Sequence, residues 1–265
     1  MIHLLKSELF RMRRRPQSWL LIVIAALMVG LFYGGFAIGS FFASSANAPD
    51  LKNNLKFSEI RQFGLSFNSL FGGIMLVIVA AGLIGNEFSW NTIRPLLARA
   101  RSRSAMLTAK FTTLLIYCVV FSVILAALTI AMSFVSSIVV GESWNFSAGA
   151  LGDVLAYCVG LIYQNLPTMA LAFLLALWTK SNAAGIGVAL GLVILEPTLF
   201  AILNPVSDVF GKIQKGGLAY NSTKLLEVGL TEQAGWIAAI VIGVYTAIFV
   251  ALSYIIFLRR DVTSG

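Results

Sequence analysis

Residues 85–110 read GNEFSWNTIRPLLARARSRSAMLTAK, and here five basic residues, a proline and a glutamate separate two long apolar runs. Across the whole chain the mean hydropathy is +0.89, 58% of the residues are hydrophobic and only 11% are charged. Soluble domains carry about 25% charged residues. The composition therefore predicts an all-α, polytopic membrane protein in which residues 85–110 connect two spans.

Six apolar stretches are long enough to cross a membrane, since one helical span needs about 20 apolar residues. The first is too long for the core of a secretory signal, about 7 to 15 residues, so we expect it to be retained as a span. We predict one transmembrane domain, residues 1–265. Its predicted parts are an interfacial helix over 1–16, spans over 19–43, 69–85, 108–140, 151–178, 183–203 and 234–258, a short helix over 86–100, and short outer helices over 204–233.

The basic residues are distributed unequally between the connections. Thirteen of the nineteen fall in the N-terminal segment, the 86–110 and 179–182 connections and the C-terminus. Basic residues concentrate in cytoplasmic loops, so both termini are predicted to be cytoplasmic. The net charge of +8 is explained by this asymmetry and by contact with lipid headgroups, and no nucleic-acid partner is expected.

The N-terminal segment MIHLLKSELFRMRRRP places Ile2, Leu5, Leu9 and Met12 at helical spacing, with most of the basic residues off that stripe. This pattern is typical of an amphipathic helix that lies on the membrane surface. The alternative is a solvated basic flank that only fixes topology.

The outer segment contains signals for two short helices. Pro205 marks the start of the first, and Gly216–Gly217 its end. Ser222 or Thr223 is the predicted N-cap of the second, and Gly229 its C-terminal stop.

Glycines recur at four-residue spacing within two spans. Such spacing lets helices approach closely and predicts either a subunit interface or packing within the chain. The pairs are Gly30 with Gly34, Gly35 with Gly39, and Gly187 with Gly191.

The connection between spans two and three contains its own amphipathic pattern. Ile93, Leu96, Leu97 and Ala100 fall on one helical face, with Asn91 or Thr92 as N-cap. Pro95 is compatible with this helix only near its first turn. The pattern predicts a short cytoplasmic helix with an apolar docking stripe.

The order of residues here resembles permease subunits of ABC exporters of the second type. In that family an acidic residue after the second span is followed by Thr, Arg, paired leucines, Ser-Arg and a Lys that opens a long third span. The layout of six spans with both ends inside extends the resemblance over the whole chain. The matching positions are Glu87, Thr92, Arg94, Leu96, Leu97, Ser102, Arg103 and Lys110.

The resemblance implies that residues 86–100 form a coupling helix that docks on a separate ATPase subunit. It implies export across a bacterial cytoplasmic (inner) membrane by a permease dimer, of two copies or with a related permease, and two ATPase subunits. The chain has no G-x-x-x-x-G-K-[ST] phosphate loop, so we expect ATP and Mg on the partner and no cofactor on this chain. The expected ATPase contacts are Glu87, Phe88, Trp90, Thr92, Arg94, Leu96, Leu97 and Arg103.

Within this segment we expect Phe88 and Trp90 to anchor the helix near the membrane interface and Leu96 and Leu97 to form the docking stripe. Glu87 and Arg94 are seven residues apart and are expected to cap or pair without chemistry of their own. Lys110 is expected to snorkel toward the headgroups.

Glu196 points to a different class of function. A carboxylate at mid-membrane costs about 2.5 to 3.5 kcal/mol on insertion scales. Pro197 follows it, and proline frees backbone carbonyls of the kind that bind ions in secondary transporters. Glu196 and Pro197 are therefore candidates for a gate or substrate path, and an ion-coupled secondary transporter is the alternative function. The structural alternative is pairing of Glu196 with backbone or with a basic residue such as Lys212.

No catalytic or metal site is expected. Intramembrane metalloproteases need H-E-x-x-H, and rhomboid-like enzymes need a serine with a histidine in a span, whereas the single histidine is His3. Cys118 and Cys158 lie within predicted spans, which argues against a disulfide framework or a metal centre. The chain itself is not predicted to be an enzyme.

Overall fold

The computed structural model describes residues 2–42, 60–99, 102–140, 148–229 and 232–259. Within these ranges all regular structure is α-helical, and no strand occurs. The helices are numbered in chain order: α1 Ile2–Arg14, α2 Pro16–Phe42, α3 Ile60–Ser89, α4 Ile93–Arg99, α5 Arg103–Val140, α6 Ala148–Thr179, α7 Asn182–Leu203, α8 Asp208–Gln214, α9 Leu218–Val228 and α10 Gln233–Arg259.

Six of these helices are long and apolar enough to cross a membrane: α2, α3, α5, α6, α7 and α10. The all-α, polytopic prediction is therefore confirmed. Helix α5 has 38 residues and reaches about 57 Å at 1.5 Å per residue. It is longer than a hydrocarbon core of about 30 Å, so one end extends into the connection before it.

The observed helices differ from the predicted stretches mainly where polar residues continue a helix. Helix α3 begins at Ile60 and runs through Ser89, so residues 86–89 belong to it and not to a separate short helix. It ends in a turn at Trp90 and Asn91, where Asn91 has a left-handed φ of 53°. The short helix α4 has seven residues, and Ala100 lies outside the described ranges.

Helices α3 and α6 form the centre of the bundle. They make the most extensive contact in the structure, and α6 also packs against α5, α7 and α10. All residues from Met169 to Leu177 are buried. Where α6 turns into α7, Gly185 lies against Ala176, and a Cβ at Gly185 would be 2.6 Å from the Cβ of Ala176. Glycine is needed here because the two backbones approach too closely for any side chain.

The glycine pairs singled out by their spacing lie elsewhere. A Cβ added at any glycine of the three pairs would have no atom of the described residues within 4 Å. Among the described helices, these glycines therefore mark no close approach of two backbones. Helix α7, which carries Gly187 and Gly191, has only two buried residues, Gly185 and Ala189.

The two outer helices are displaced from their predicted starts. Helix α8 begins at Asp208, with Ser207 accepting from the backbone N–H of Val209 as its N-cap, so the start at Pro205 was wrong. Helix α9 begins at Leu218 after Gly217, which places Ser222 and Thr223 inside the helix, so neither is its N-cap. Its end at Gly229, with φ of 66°, is confirmed.

The N-terminal helix α1 packs against the start of α5 and against α2. Met12 is buried in the core, Leu9 is half-buried, and Arg13 and Arg14 are exposed, which agrees with an amphipathic helix. The indole Nε1 of Trp19 donates to the carbonyl of Arg13 at 2.7 Å and fixes the turn between α1 and α2.

Candidate functional site

Four charged side chains from three helices meet where α3 ends and α5 begins. Lys110 of α5 donates to Glu87 Oε1 of α3 at 2.5 Å and to Glu8 Oε2 of α1 at 3.4 Å. Arg11 of α1 donates to Glu8 Oε1 at 2.7 Å and to Glu87 Oε1 at 3.4 Å. We call Glu8, Arg11, Glu87 and Lys110 the charged cluster. Its formal charges sum to zero, so it ties three helices together without net charge.

Burial makes these ion pairs different from surface ones. Lys110 is 0% exposed, Glu87 1% and Glu8 3%, while Arg11 keeps about a third of its side chain accessible. Charges removed from water repay their desolvation only when they are well paired, and removal of one partner typically costs about 3 to 5 kcal/mol. The second carboxylate oxygen of Glu87 has no hydrogen-bond partner among the described residues. The cluster is therefore sensitive to any motion of α1 or α5 relative to α3.

The backbone of Glu87 also sets the start of the next helix. Its carbonyl accepts the N–H of Thr92 at 2.9 Å and faces the Thr92 hydroxyl at 3.4 Å. The carbonyl of Thr92 in turn accepts the N–H of Leu96, at the first turn of α4. Glu87 thus connects the turn before α4 through its main chain with α1 and α5 through its side chain.

Helix α4 directs its apolar stripe toward the protein. Ile93 is buried, and Leu96 and Leu97 are half-buried against the hydrophobic core. The surface left outward is formed by the turn and the first part of the helix, where Trp90 is 65% exposed and Thr92 and Pro95 are exposed. The leucines predicted to form the docking stripe are therefore partly used within the chain, and Trp90 is the large apolar side chain presented outside.

The other residues that were predicted to contact the ATPase lie in different environments. Phe88 is half-buried against the core. Arg103 is the first residue of α5, and Ser102 before it accepts the N–H of Ala105 at 3.1 Å as the N-cap of that helix. The side chain of Arg94 lies outside the described part of the structure. Glu87 pairs with Lys110 and Arg11. Neither pair was predicted from the sequence, where only the spacing of Glu87 to Arg94 was considered.

Glu196 lies far from this cluster, on α7 and beside the start of α9. Its Oε1 accepts the backbone N–H of Ala219 at 2.9 Å, so it caps a helix whose own N-cap, Gly217, has no side chain. A helix N-terminus stabilises a negative charge through its free N–H groups and its dipole. Glu196 is therefore paired with a backbone N–H, which is one form of the structural alternative. Lys212 is exposed, and among the described residues it makes no salt bridge with Glu196.

Sequence reasoning missed Glu8 and Arg11 and expected Lys110 to snorkel to the surface. Lys110 is instead fully buried, because two carboxylates are available to it inside the protein. One signal was present in the sequence. Glu8 lies on the same helical face as Leu5, Leu9 and Met12, and a carboxylate on the apolar face of an amphipathic helix needs a cation opposite it.

Comparison with known proteins places this geometry in a family context. Residues 4–196 match the family described as ABC-2 family transporter protein. The chain also aligns over its full length, and over the full length of the relative, with the uncharacterized protein YhcI of Bacillus subtilis strain 168, at 22% identity. The family match includes α1 from residue 4 onward, the whole charged cluster, α4 and Glu196.

Proposed function

The chain belongs to the ABC-2 family of transporter proteins and is an integral membrane permease, and from that premise we propose that it is the transmembrane subunit of an ATP-driven exporter. Membership of this family implies an ABC ATPase as partner. We propose that two copies of that ATPase drive a dimer of this chain, or of this chain with a related permease. ATP and Mg belong to the ATPase, and this chain is not an enzyme.

The observation that carries the proposal is the charged cluster beside α4. A rigid connection is needed if force applied to a short cytoplasmic helix is to move spans. Glu87 supplies it, because it is bonded to the α4 turn through its carbonyl and to Lys110 and Arg11 through its carboxylate. A load on α4 is therefore passed to α1, α3 and α5 together. The family match favours this function over an ion-coupled transporter.

The proposed contact with the ATPase is the outward surface of the turn and α4, formed by Trp90, Thr92 and Pro95. A large exposed aromatic side chain is the type that anchors protein interfaces. This surface would be cytoplasmic, together with both termini, in the bacterial inner membrane, in agreement with the distribution of basic residues. Substitution of Leu96 and Leu97 by aspartate, the obvious docking test, would also disrupt their packing on the core, so Trp90 gives the cleaner experiment.

A permease dimer is supported by glycines that pack against none of the described residues of this chain. Gly30 and Gly34 on α2 and Gly187 and Gly191 on α7 have open space where a Cβ would be. Small residues on the outside of a span allow a second helix to approach closely. We propose that α2 and α7 face the second permease.

The first test is purification of the tagged chain from its native membrane in mild detergent, with identification of co-purifying proteins by mass spectrometry. A stoichiometric ATPase with a phosphate loop is expected. Trp90→Ala should reduce the recovered ATPase at least tenfold, because it removes the exposed anchor without touching the core. Trp236→Ala is the matched control, since Trp236 is 56% exposed at the start of α10.

The chain recovered reproducibly without an ATPase would contradict the proposal. Equal loss of ATPase in the Trp90 and Trp236 variants would contradict the placement of the contact at Trp90.

A further inference from the structure

A cavity of about 170 Å³ lies at the other end of the bundle, between α3, α6, α7 and α9. Val77 and Gly73 on α3 are ten and fourteen residues from Glu87, so the cavity lies about 15 to 21 Å along the helix from the charged cluster. A cavity of this size accommodates a molecule such as benzene. Its polar side chains are Gln164, Asn165, Thr168, Glu196, Ser222 and Thr223, and aliphatic side chains form much of the remaining wall.

Gln164 is the buried group that needs an explanation. It is 3% exposed, and neither its amide nitrogen nor its amide oxygen has a hydrogen-bond partner among the described residues. An unsatisfied buried amide costs about 1 to 3 kcal/mol for each missing partner. Because Gln164 lines the cavity, a ligand in the cavity is the available partner.

Three of the other polar side chains of the cavity already donate to backbone carbonyls. The amide of Asn165 donates to the carbonyl of Leu161 at 2.7 Å, and the hydroxyl of Thr168 donates to the carbonyl of Asn165 at 3.0 Å. The hydroxyl of Thr223 donates to the carbonyl of Ala219 at 3.0 Å. All three keep lone pairs. Asn165 also keeps one amide N–H and Gln164 keeps two, so with the carboxylate of Glu196 the cavity offers more hydrogen-bond acceptors than free donors.

Two further acceptors come from α7. The carboxylate of Glu196 lines the cavity, and in the described part of the chain no basic side chain forms a salt bridge with it. Pro197 has no N–H to donate to the carbonyl of Val193, four residues before it, and Val193 also lines the cavity. A site with a carboxylate, several acceptor oxygens and aliphatic walls suits a cation that donates several hydrogen bonds and carries a small hydrocarbon body.

We propose that this cavity is a binding site for a primary alkylammonium ion, with Glu196, Gln164 and Asn165 accepting its N–H groups. An ammonium group has three donors and no acceptor, which matches the lone pairs on offer. An alkyl amine stays protonated at pH 7, as the lysine side chain does. The site is formed within one chain, so it does not depend on the ATPase or on a dimer.

The test is calorimetric titration of n-butylammonium chloride into the full-length chain in a non-ionic detergent at pH 7. Saturable binding at one site per chain is expected. Glu196→Gln keeps an acceptor for the N–H of Ala219 but removes the charge, and it should weaken binding at least tenfold. Gln164→Leu removes the unpartnered amide at similar size and should also weaken binding at least tenfold.

The matched control is Glu227→Gln, which changes the same residue type on the exposed face of α9, where Glu227 pairs with Lys224 at 3.2 Å. Its affinity should equal that of the unaltered chain. Butan-1-ol, as the neutral analogue, and KCl and NaCl, as inorganic cations, should neither bind saturably nor compete.

Three results would overturn the proposal. One is the absence of saturable binding to the unaltered chain. Another is binding that both cavity variants retain at full affinity. The third is competition by KCl or NaCl at concentrations equal to the amine, which would assign the site to an inorganic cation. Gln164→Leu keeps the test decisive even if Glu196→Gln perturbs the start of α9, because Gln164 holds no element in place.

Discussion

Glu87 and Glu196 are both glutamates in apolar helices, and the two ends of the molecule accommodate them by different means. Glu87 is 1% exposed and pairs with Lys110 and Arg11. Glu196 is half-buried and accepts a backbone N–H from the start of α9. The first arrangement joins three helices through full charges, and the second joins two helices through a helix N-terminus.

A membrane helix can therefore carry a carboxylate for two purposes. Full ion pairs in a dry site are strong only while both partners are in place, so they transmit displacement between helices. A helix N-terminus contributes a smaller stabilisation, about 0.3 to 1 kcal/mol and up to about 2 in partly buried sites, and leaves the carboxylate free to contact a ligand. The comparison therefore predicts that removing a charge from the cluster around Glu87 changes the free energy of unfolding strongly, and that removing the charge of Glu196 changes it little.

The largest effect is expected for Lys110→Met. This substitution leaves Glu87 and Glu8 buried beside Arg11 alone, and we expect it to lower the free energy of unfolding by about 3 to 5 kcal/mol. The measurement is the unfolding midpoint of the purified chain in mixed micelles. Lys224→Met is the control, because it breaks an exposed pair worth about 0 to 1 kcal/mol.

The double variant Lys110→Met with Glu87→Gln sharpens this prediction. It removes a buried cation and a buried anion together, so it should be less destabilised than Lys110→Met alone. A double variant as unstable as the sum of the two single ones would show that the two side chains are not coupled.

An intermediate effect is expected for Gly217→Ala at the other end. The added Cβ would overlap Glu196 Oε1 and lie 3.0 Å from the carbonyl of Gln214, so the cap of α9 must shift. We expect a loss of about 1 to 3 kcal/mol, as for overpacking elsewhere. The control is Gly211→Ala in α8, where a Cβ meets nothing within 4 Å and alanine should stabilise by about 0.5 to 1 kcal/mol. The opposite signs at the two glycines are checked by the same unfolding measurement, and a Gly217→Ala variant as stable as the unaltered chain would refute the close approach.

The smallest effect on folding is expected for Glu196→Gln. The glutamine oxygen still accepts the N–H of Ala219, so only the interaction of the charge with the helix terminus is lost. The free energy of unfolding, obtained from the shift of the unfolding midpoint, should change by less than about 1 kcal/mol. A loss as large as that of Lys110→Met would mean that Glu196, like Glu87, is held by full charges.

The class of the protein and the position of its spans could be predicted from the sequence. The six apolar stretches correspond to the six long helices, and the stop at Gly229 was found from the preference of glycine for left-handed backbone. Helix starts were less accurate. Ser222 and Thr223 are good N-caps in isolation, but the N-cap of α9 is Gly217, five residues before Ser222, where Glu196 from another helix caps the free N–H groups. Local propensity cannot register such a contact.

The candidate site could be predicted only in outline. The segment around α4 was identified from its charge pattern and its resemblance to a family, whereas the direction of the apolar stripe was not. Ile93, Leu96 and Leu97 fit equally well against an external partner and against the chain's own core until the position of α3 and α5 is known. Trp90, in the turn before α4, is left as the outward side chain.

By itself the sequence determined that the chain crosses a membrane six times and that its basic residues favour one side. These properties are sums over short windows, because hydropathy and charge act residue by residue. The tertiary structure alone decided which charges meet. Lys110 finds Glu8 at 102 residues' separation, and Glu87 finds Arg11 at 76. Such pairs depend on how whole helices pack, and the cost of an unpaired buried charge then holds them in that arrangement.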